Sequence, residues 1–188
     1  MICLLCIFEV SAQNEEPGAF PAYQTGNPDA KYKIEVFVDF QCPTCAVFGQ
    51  KLNALKAKYP NDISIVFRNF PLAIPAHDKA RAAAKAAEAA GQQGKFWEMY
   101  DLLLRHQKRW SRSNSADVIF NAYAKKLGLD VEAFKRDLES EEVVVRIDRD
   151  IQRGRSLNIN ATPTVLLNGN KLTFEEALDL EAIILKDK

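Results

Sequence analysis

The sequence predicts an α/β fold in which a parallel strand–helix–strand unit is interrupted by a large all-helical insertion and completed by a short strand pair and a last helix. Three observations predict it. An apolar run at 33–40, a helical pattern at 46–58 and a β-branched run at 63–67 follow one another in the order of a parallel crossover unit. From Asp78 to about Leu157 the apolar spacing is helical throughout, and at 164–167 the chain returns to a strand pattern.

Each element has its own signature. Val36, Val38 and Phe40 share one face of the first strand, since side chains alternate along it. The helix that follows carries Val47, Leu52, Leu55 and Tyr59 on an apolar side, and Pro60-Asn61-Asp62 ends it. After the loop Phe70-Pro71-Leu72-Ala73-Ile74-Pro75 come an alanine-rich helix at 78–90 and helical spacings at Phe96, Tyr100 and Leu103, at Val118, Ala122 and Leu127, and at Phe134 and Leu138. Gly91, Gly94 and Gly128 punctuate this set. Val144, Ile147, Ile151 and Gly154 mark its last helix, capped by Ser140. Asn168-Gly169 turns the next strand into a short piece near Lys171-Leu172. Thr173-Phe174-Glu175-Glu176 is a capping box opening a final helix with Ala177, Leu180 and Ile184 inward. The α/β unit is therefore expected at 32–75 and 158–188, the helical insertion at 76–157, and a polar lead-in with Pro17, Gly18, Pro21, Gly26 and Pro28 at 13–31.

Composition narrows the function classes. Lys and Arg together number 25, as do Asp and Glu, so no net field attracts nucleic acid or an acidic membrane. No apolar run approaches the length of a spanning helix. The segment 1–12 reads as an export signal: Ile2-Cys3-Leu4-Leu5-Cys6-Ile7-Phe8 is apolar, and Val10-Ser11-Ala12 resembles a cleavage site before Gln13. It has no Lys or Arg near the start, Glu9 interrupts it and it is short, all of which a start codon assigned too late explains. Its removal would leave 25 basic and 24 acidic residues, and two cysteines. A single close cysteine pair in an exported chain suits work on disulfides rather than a disulfide-stapled scaffold.

That pair is Cys42-Pro43-Thr44-Cys45, at the junction of the first strand and its helix. Residues three apart on a helix share a face, close enough for a disulfide. Proline is favoured at the first helical position, which makes Cys42 the residue just before the helix and Cys45 the third inside it. The Cys42 sulfur then meets unpaired backbone N–H groups and the positive end of the helix dipole, both of which favour thiolate. Cys42 is thus the expected nucleophile and Cys45 the resolving thiol. The same spacing serves half of a zinc site. Outside the first six residues only His77 and His106 could complete one, at a separation that matches no compact metal knuckle.

Asp39-Phe40-Gln41-Cys42-Pro43-Thr44-Cys45, Arg68-Asn69-Phe70-Pro71-Leu72, Ala87-Glu88-Ala89-Ala90, Gly94-Lys95-Phe96-Trp97 and Ala161-Thr162-Pro163-Thr164 together resemble, in this order, the DsbA-like thiol-disulfide oxidoreductases. The resemblance runs from about Lys33 to the C-terminus. It implies a thioredoxin-like fold with an inserted helical domain, and an exported, mostly bacterial protein that exchanges disulfides with cysteine-containing exported proteins; the sequence shows no obvious dimerisation module, and a monomer is expected. The catalytic pair would be Cys42 and Cys45, with Pro43 and Thr44 as the motif between them. Pro163 would be a cis-proline, and Thr162 before it would bind substrate as an added strand. No organic cofactor, metal or nucleic acid is implied. An oxidase must be reoxidised, which points to a quinone-linked membrane partner of the DsbB or vitamin K epoxide reductase type.

One departure from this family pattern concerns proton transfer. The fold commonly places a buried acid six residues before the first cysteine, and here that residue is Val36. Glu35, next to it, points to the opposite face of a regular strand. Either a bulge turns Glu35 inward, or the proton moves through water with help from Asp39. Pro43-Thr44 offers the thiolate a hydroxyl but no cation, which suggests an intermediate potential; the direction leans towards dithiol oxidase. The alternatives are a reductase or isomerase, and, in another class, a metal-handling or peptide-holding protein that uses the same thiols as ligands. His77 reads as a surface or capping residue, His106 as a solvated helix end, and Phe96, Trp97 and Tyr100 as core of the insertion. Phe40, Pro43, Ala46 and Val47 border the sulfur and suggest an apolar surface for unfolded chains.

Overall fold

The computed structural model describes residues 17–186, so the segment 1–12, with Cys3 and Cys6, lies outside the described residues. Strands β1 (Gln24–Gly26), β2 (Tyr32–Val38), β3 (Ile63–Asn69), β4 (Thr164–Leu167) and β5 (Asn170–Lys171) form one mixed sheet in the order β1-β3-β2-β4-β5. The central strand, β2, is parallel to β3 through the crossover helix α1 (Pro43–Lys58) and antiparallel to β4. Between β3 and β4 lie helices α2 (Ala80–Gln92), α3 (Phe96–Arg105), α4 (Gln107–Ser111), α5 (Ala116–Lys126), α6 (Val131–Asp137) and α7 (Glu141–Ser156). Two short helices close the described chain, α8 (Phe174–Leu178) and α9 (Leu180–Lys186). This is a thioredoxin-like fold with a helical insertion. No helix of the described residues is long and apolar enough to cross a membrane.

Strand alternation assigns the two faces of the sheet. Ile34, Val36 and Val38 of β2, with Ile63, Ile65 and Phe67 of β3, join the large core that also takes in Cys45, Phe48 and Leu52 of α1 and Leu180 and Ile184 of α9. Insertion residues belong to that same core: Phe96 and Tyr100 of α3 stack edge-on against Phe67, and Tyr100 also meets Phe40. The opposite face is smaller, with Phe37, Phe70, Ile159 and Leu166 packed beside Ile151 of α7. Caps act where the sequence places them. Ser140 accepts from the Val143 N–H at the start of α7, and Thr173 and Glu176 form the reciprocal capping box of α8.

Several expectations need correcting. The lead-in at 13–31 carries strand β1, which adds to the free edge of β3 in antiparallel fashion. Residues Gln24–Gly26 are too short and polar to show strand periodicity alone. On α1, Val47 is exposed, and the buried stripe is Cys45, Phe48, Gly49, Leu52 and Leu55. On α5, Val118 is exposed while Phe120, Tyr123 and Ala124 are buried, so the helix is rotated from the face expected. Gly91 lies inside α2 rather than ending it, and it is glycine because a Cβ there would lie 1.9 Å from the Tyr23 hydroxyl oxygen. The single final helix is broken at Asp179 into α8 and α9.

Candidate active site

The turn from β2 into α1 is built by Asp39. Its Oδ1 accepts from the Gln41 N–H at 2.7 Å, and its backbone carbonyl accepts from the Cys42 N–H at 3.1 Å. Cys42 is the N-cap of α1 in extended conformation (φ −70°, ψ 120°), and Pro43 occupies the first turn, where its missing N–H costs nothing. The Cys42 sulfur therefore stands over the open N-terminus of a 16-residue helix. Both thiols are free; Cys42 retains 7% exposure and Cys45, one turn in, 1%.

The sulfurs differ sharply in acidity. The Cys42 thiol is brought down to about 5 by the Cys45 thiol donating to it; burial opposes this, while the backbone N–H groups of Cys45 and Thr44 and the side chain of Thr162 add to it. Burial pushes Cys45 well above its ordinary value, and the negative charge on its neighbour raises it further. The pair thus holds one ready thiolate and one retained proton.

Immediately before β4, the strand beside β2, the Thr162–Pro163 peptide, which is cis, comes up to this sulfur. The Cys42 thiol contacts the Thr162 carbonyl oxygen at 3.3 Å. The Thr162 hydroxyl is buried without a hydrogen-bond partner among the described residues, and it lies near enough to both sulfurs to help lower the pKa of each. Thr44 is half-buried and Pro43 exposed at the mouth of the helix.

The insertion holds the turn from two sides. From α4, Gln107 donates through Nε2 to the carbonyls of Phe40 (2.7 Å) and Cys42 (2.8 Å), the residues flanking Gln41. From the short turn Pro75–His77 and the two residues after it, His77 Nδ1 lies 2.7 Å from Asp39 Oδ2, and Gln41 accepts from the Lys79 N–H and donates to Asp78. His77 is therefore no solvated or capping residue but the partner of a fully buried carboxylate. Gln107 could not be found in the sequence, because it lies 65 positions from Cys42 and has no local motif. Phe40, expected to border the sulfur as surface, is buried. Ala46 is half-buried there, and Val47 and Pro43 are exposed.

Glu35 is not turned inward. The β2–β3 ladder runs without a bulge from Tyr32↔Ile63 to Val38↔Asn69, so Val36 faces the core that contains Cys45 and Glu35 faces away. Glu35 accepts from Arg68 Nε at 2.7 Å and from Arg153 Nε and Nη2 at 2.6 and 2.9 Å. Burial works to raise its pKa, but the hydrogen bonds from the two arginines prevail and hold it below the usual carboxylate range. Both carboxylate oxygens of Asp39 are likewise engaged, since Oδ2 also accepts from the Leu72 N–H.

A family model described as thioredoxin matches residues 21–185. The chain belongs to the thioredoxin family. Among solved structures it is similar to a thioredoxin-like oxidoreductase from Silicibacter pomeroyi, at 27% identity and TM-score 0.68, over 86% of this chain and 92% of that one. It is also similar to DsbA2 of Pseudomonas aeruginosa, at 25% identity and TM-score 0.65, over 85% and 91%. Among curated proteins it is 36% identical over 148 residues to a sodium/proton antiporter, NhaA 1, of Mycolicibacterium gilvum. That match covers 78% of this chain but 23% of the antiporter, so the chain spans about a quarter of the length of that relative. Its architecture is that of DsbA-type thiol-disulfide oxidoreductases.

Proposed function

We propose that the chain is a protein thiol-disulfide oxidoreductase working through Cys42 and Cys45, and that it runs as a dithiol oxidase on cysteine-containing proteins outside the cytoplasm. The opposed acidities of the two sulfurs carry this reading. In the oxidised chain a substrate thiolate attacks the Cys42 sulfur and forms a mixed disulfide, while the Cys42–Cys45 bond breaks and Cys45 leaves with the electron pair and takes up a proton. A second substrate thiolate then attacks the substrate sulfur, the product disulfide forms, and Cys42 leaves as a thiolate. Two electrons and one proton stay on the chain in the reduced pair, and the other proton is released.

Each acidity favours one step. A thiol ionised at about 5 is a good leaving group, so release from the mixed disulfide is fast. A resolving thiol held protonated attacks slowly, so the mixed disulfide survives long enough for the substrate to complete the exchange. Stabilising the reduced thiolate also makes the disulfide more oxidising. Against the intermediate potential expected from Pro43-Thr44 stands the lowered Cys42 pKa, to which the Cys45 thiol and the N–H groups of the helix contribute with no cation beside them.

Thr162 offers backbone groups beside the sulfur for an extended substrate segment, with Pro163 closing the strand end. A quinone-linked membrane protein is the proposed reoxidant. The test is to equilibrate the purified chain with glutathione buffers and to assay oxidative refolding of a reduced protein beside insulin reduction. The expected result is a potential well above the roughly −270 mV of thioredoxin, with accelerated refolding. A strongly reducing potential with fast insulin reduction overturns the oxidase direction, and absence of exchange in both assays overturns the enzyme.

A further inference from the structure

Beside the nucleophile a groove of about 610 Å³ opens between α1 and the α3–α4 corner of the insertion. Pro43, the residue after Cys42, stands at one end. Its floor is apolar, from Val47 on α1 and Leu104 on α3, and Val47 is 57% exposed although it sits on the helix that carries both thiols. The wall is basic: Arg105, Lys108 and Arg109 are all exposed along it. None of the three takes part in an ion pair among the described residues; Lys58, Arg81 and Lys85 are held by carboxylates, while exposed Lys51, Arg112 and Lys125 are not, so what sets this wall apart is three such cations within five residues. Asp101, one turn back on α3, is held by Asn53. In a chain of zero net charge this is a local concentration of unneutralised charge, not a reflection of overall basicity.

We propose that this groove seats an extended protein segment in which the reacting cysteine is followed or preceded by an apolar side chain and flanking Asp or Glu residues. The proposal rests on the exchange reading above and names its substrate class. Charge complementarity selects the occupant: carboxylates meet Arg105, Lys108 and Arg109, while an apolar side chain covers Val47 and Leu104. An uncharged apolar segment would leave three cations facing it without partners, and a basic one would be repelled.

The test separates docking from chemistry. A fluorescent peptide with serine in place of its cysteine, one leucine and three flanking glutamates is titrated against the intact chain by anisotropy, beside versions with glutamine or lysine at the charged positions. The glutamate peptide is expected to bind about tenfold more tightly than the glutamine peptide, with the lysine peptide weakest, and the advantage should shrink as salt rises from 50 to 500 mM. The double variant Lys108→Glu/Arg109→Glu should reverse the order, an outcome that a misfolded protein cannot produce, and Val47→Ser should weaken all peptides containing leucine. Equal binding of the three peptides, or an order unaltered by the charge reversal, overturns the proposal. Reaction of the oxidised chain with 2-mercaptoethanol, an uncharged thiol, reports separately on the exchange reading. Peptide discrimination without that reaction would leave the groove and remove the enzyme.

Discussion

The Cys42 sulfur and the Cys45 sulfur sit one helical turn apart with their acidities driven in opposite directions, and residue-scale behaviour follows from that. Alkylation of Cys42 by iodoacetamide should titrate with a midpoint near pH 5 and level off through neutrality, while Cys45 stays unreactive in the native state; stopped-flow alkylation with mass mapping checks both. The same shift appears in stability. The folded value lies below the roughly 8.5 of an unfolded thiol, so the stabilisation of the reduced chain grows as pH rises above 5 and is lost as pH falls through 5. The oxidised chain has no such group. The stability gap between reduced and oxidised forms should therefore widen by about 1.4 kcal/mol per unit between pH 5.5 and 7.5, read from denaturant titrations of each form. Glu35 belongs to the other face. Glu35→Gln should cost about 1–3 kcal/mol, by weakening its contacts with Arg68 and Arg153, and leave the rate of resolving a mixed disulfide unchanged. A markedly slower resolution in a folded variant would put Glu35 back on the proton path.

At the scale of elements, the active-site turn is set by what the insertion does to it. Gln107 supplies both protons of its amide nitrogen to the carbonyls of Phe40 and Cys42. Gln107→Ala would leave the Phe40 carbonyl unpaired and the Cys42 carbonyl with the Ala46 N–H alone, at a cost of about 1–3 kcal/mol. It would also let the N-cap relax away from the helix mouth, so the Cys42 alkylation midpoint should rise by about one unit. Gln107→Glu keeps the size but removes the donors, and should fail to restore the midpoint. A variant that loses stability with an unmoved midpoint would reduce Gln107 to a purely structural tie. Packing sets the height of α1 in the same way. A Cβ at Gly49 would lie 2.7 Å from Leu104 Cδ1 and 2.8 Å from the Tyr100 hydroxyl oxygen, so α1 approaches α3 closely only because glycine stands there.

Over the whole molecule, the sheet and the insertion have no separate interiors on the thiol side. Phe67 of β3, Tyr100 of α3, Trp110 of α4 and Ile147 of α7 belong to one buried cluster with Cys45. The other face is tied by charge: Asp150 of α7 accepts from the Asn69 N–H, the Ala19 N–H and Arg68, joining helix, strand and lead-in. Unfolding should therefore be cooperative. Emission of Trp110 in the insertion and chemical accessibility of Cys45 on α1 should change at the same denaturant concentration. A first transition in tryptophan emission that leaves Cys45 protected would contradict the shared core.

The sequence alone determined the strand–helix–strand unit, the Ser140 cap, the Thr173 capping box and the cysteine pair at a helix start, because each is written within a few consecutive residues as periodicity, turn chemistry or spacing. Only the tertiary structure decided that Val47 faces out and Phe48 in, that Gly91 is a contact with Tyr23 and not a stop, and that the polar lead-in carries an edge strand. It also decided the company of the thiolate. Gln107 and His77 come to the β2–α1 turn from 65 and 38 positions away, whereas Thr162, 120 positions away, is placed there already by the family resemblance. A lone polar side chain carries no local signal of the buried group it will meet, since that pairing arises only when burial removes water and each donor must find an acceptor within the protein.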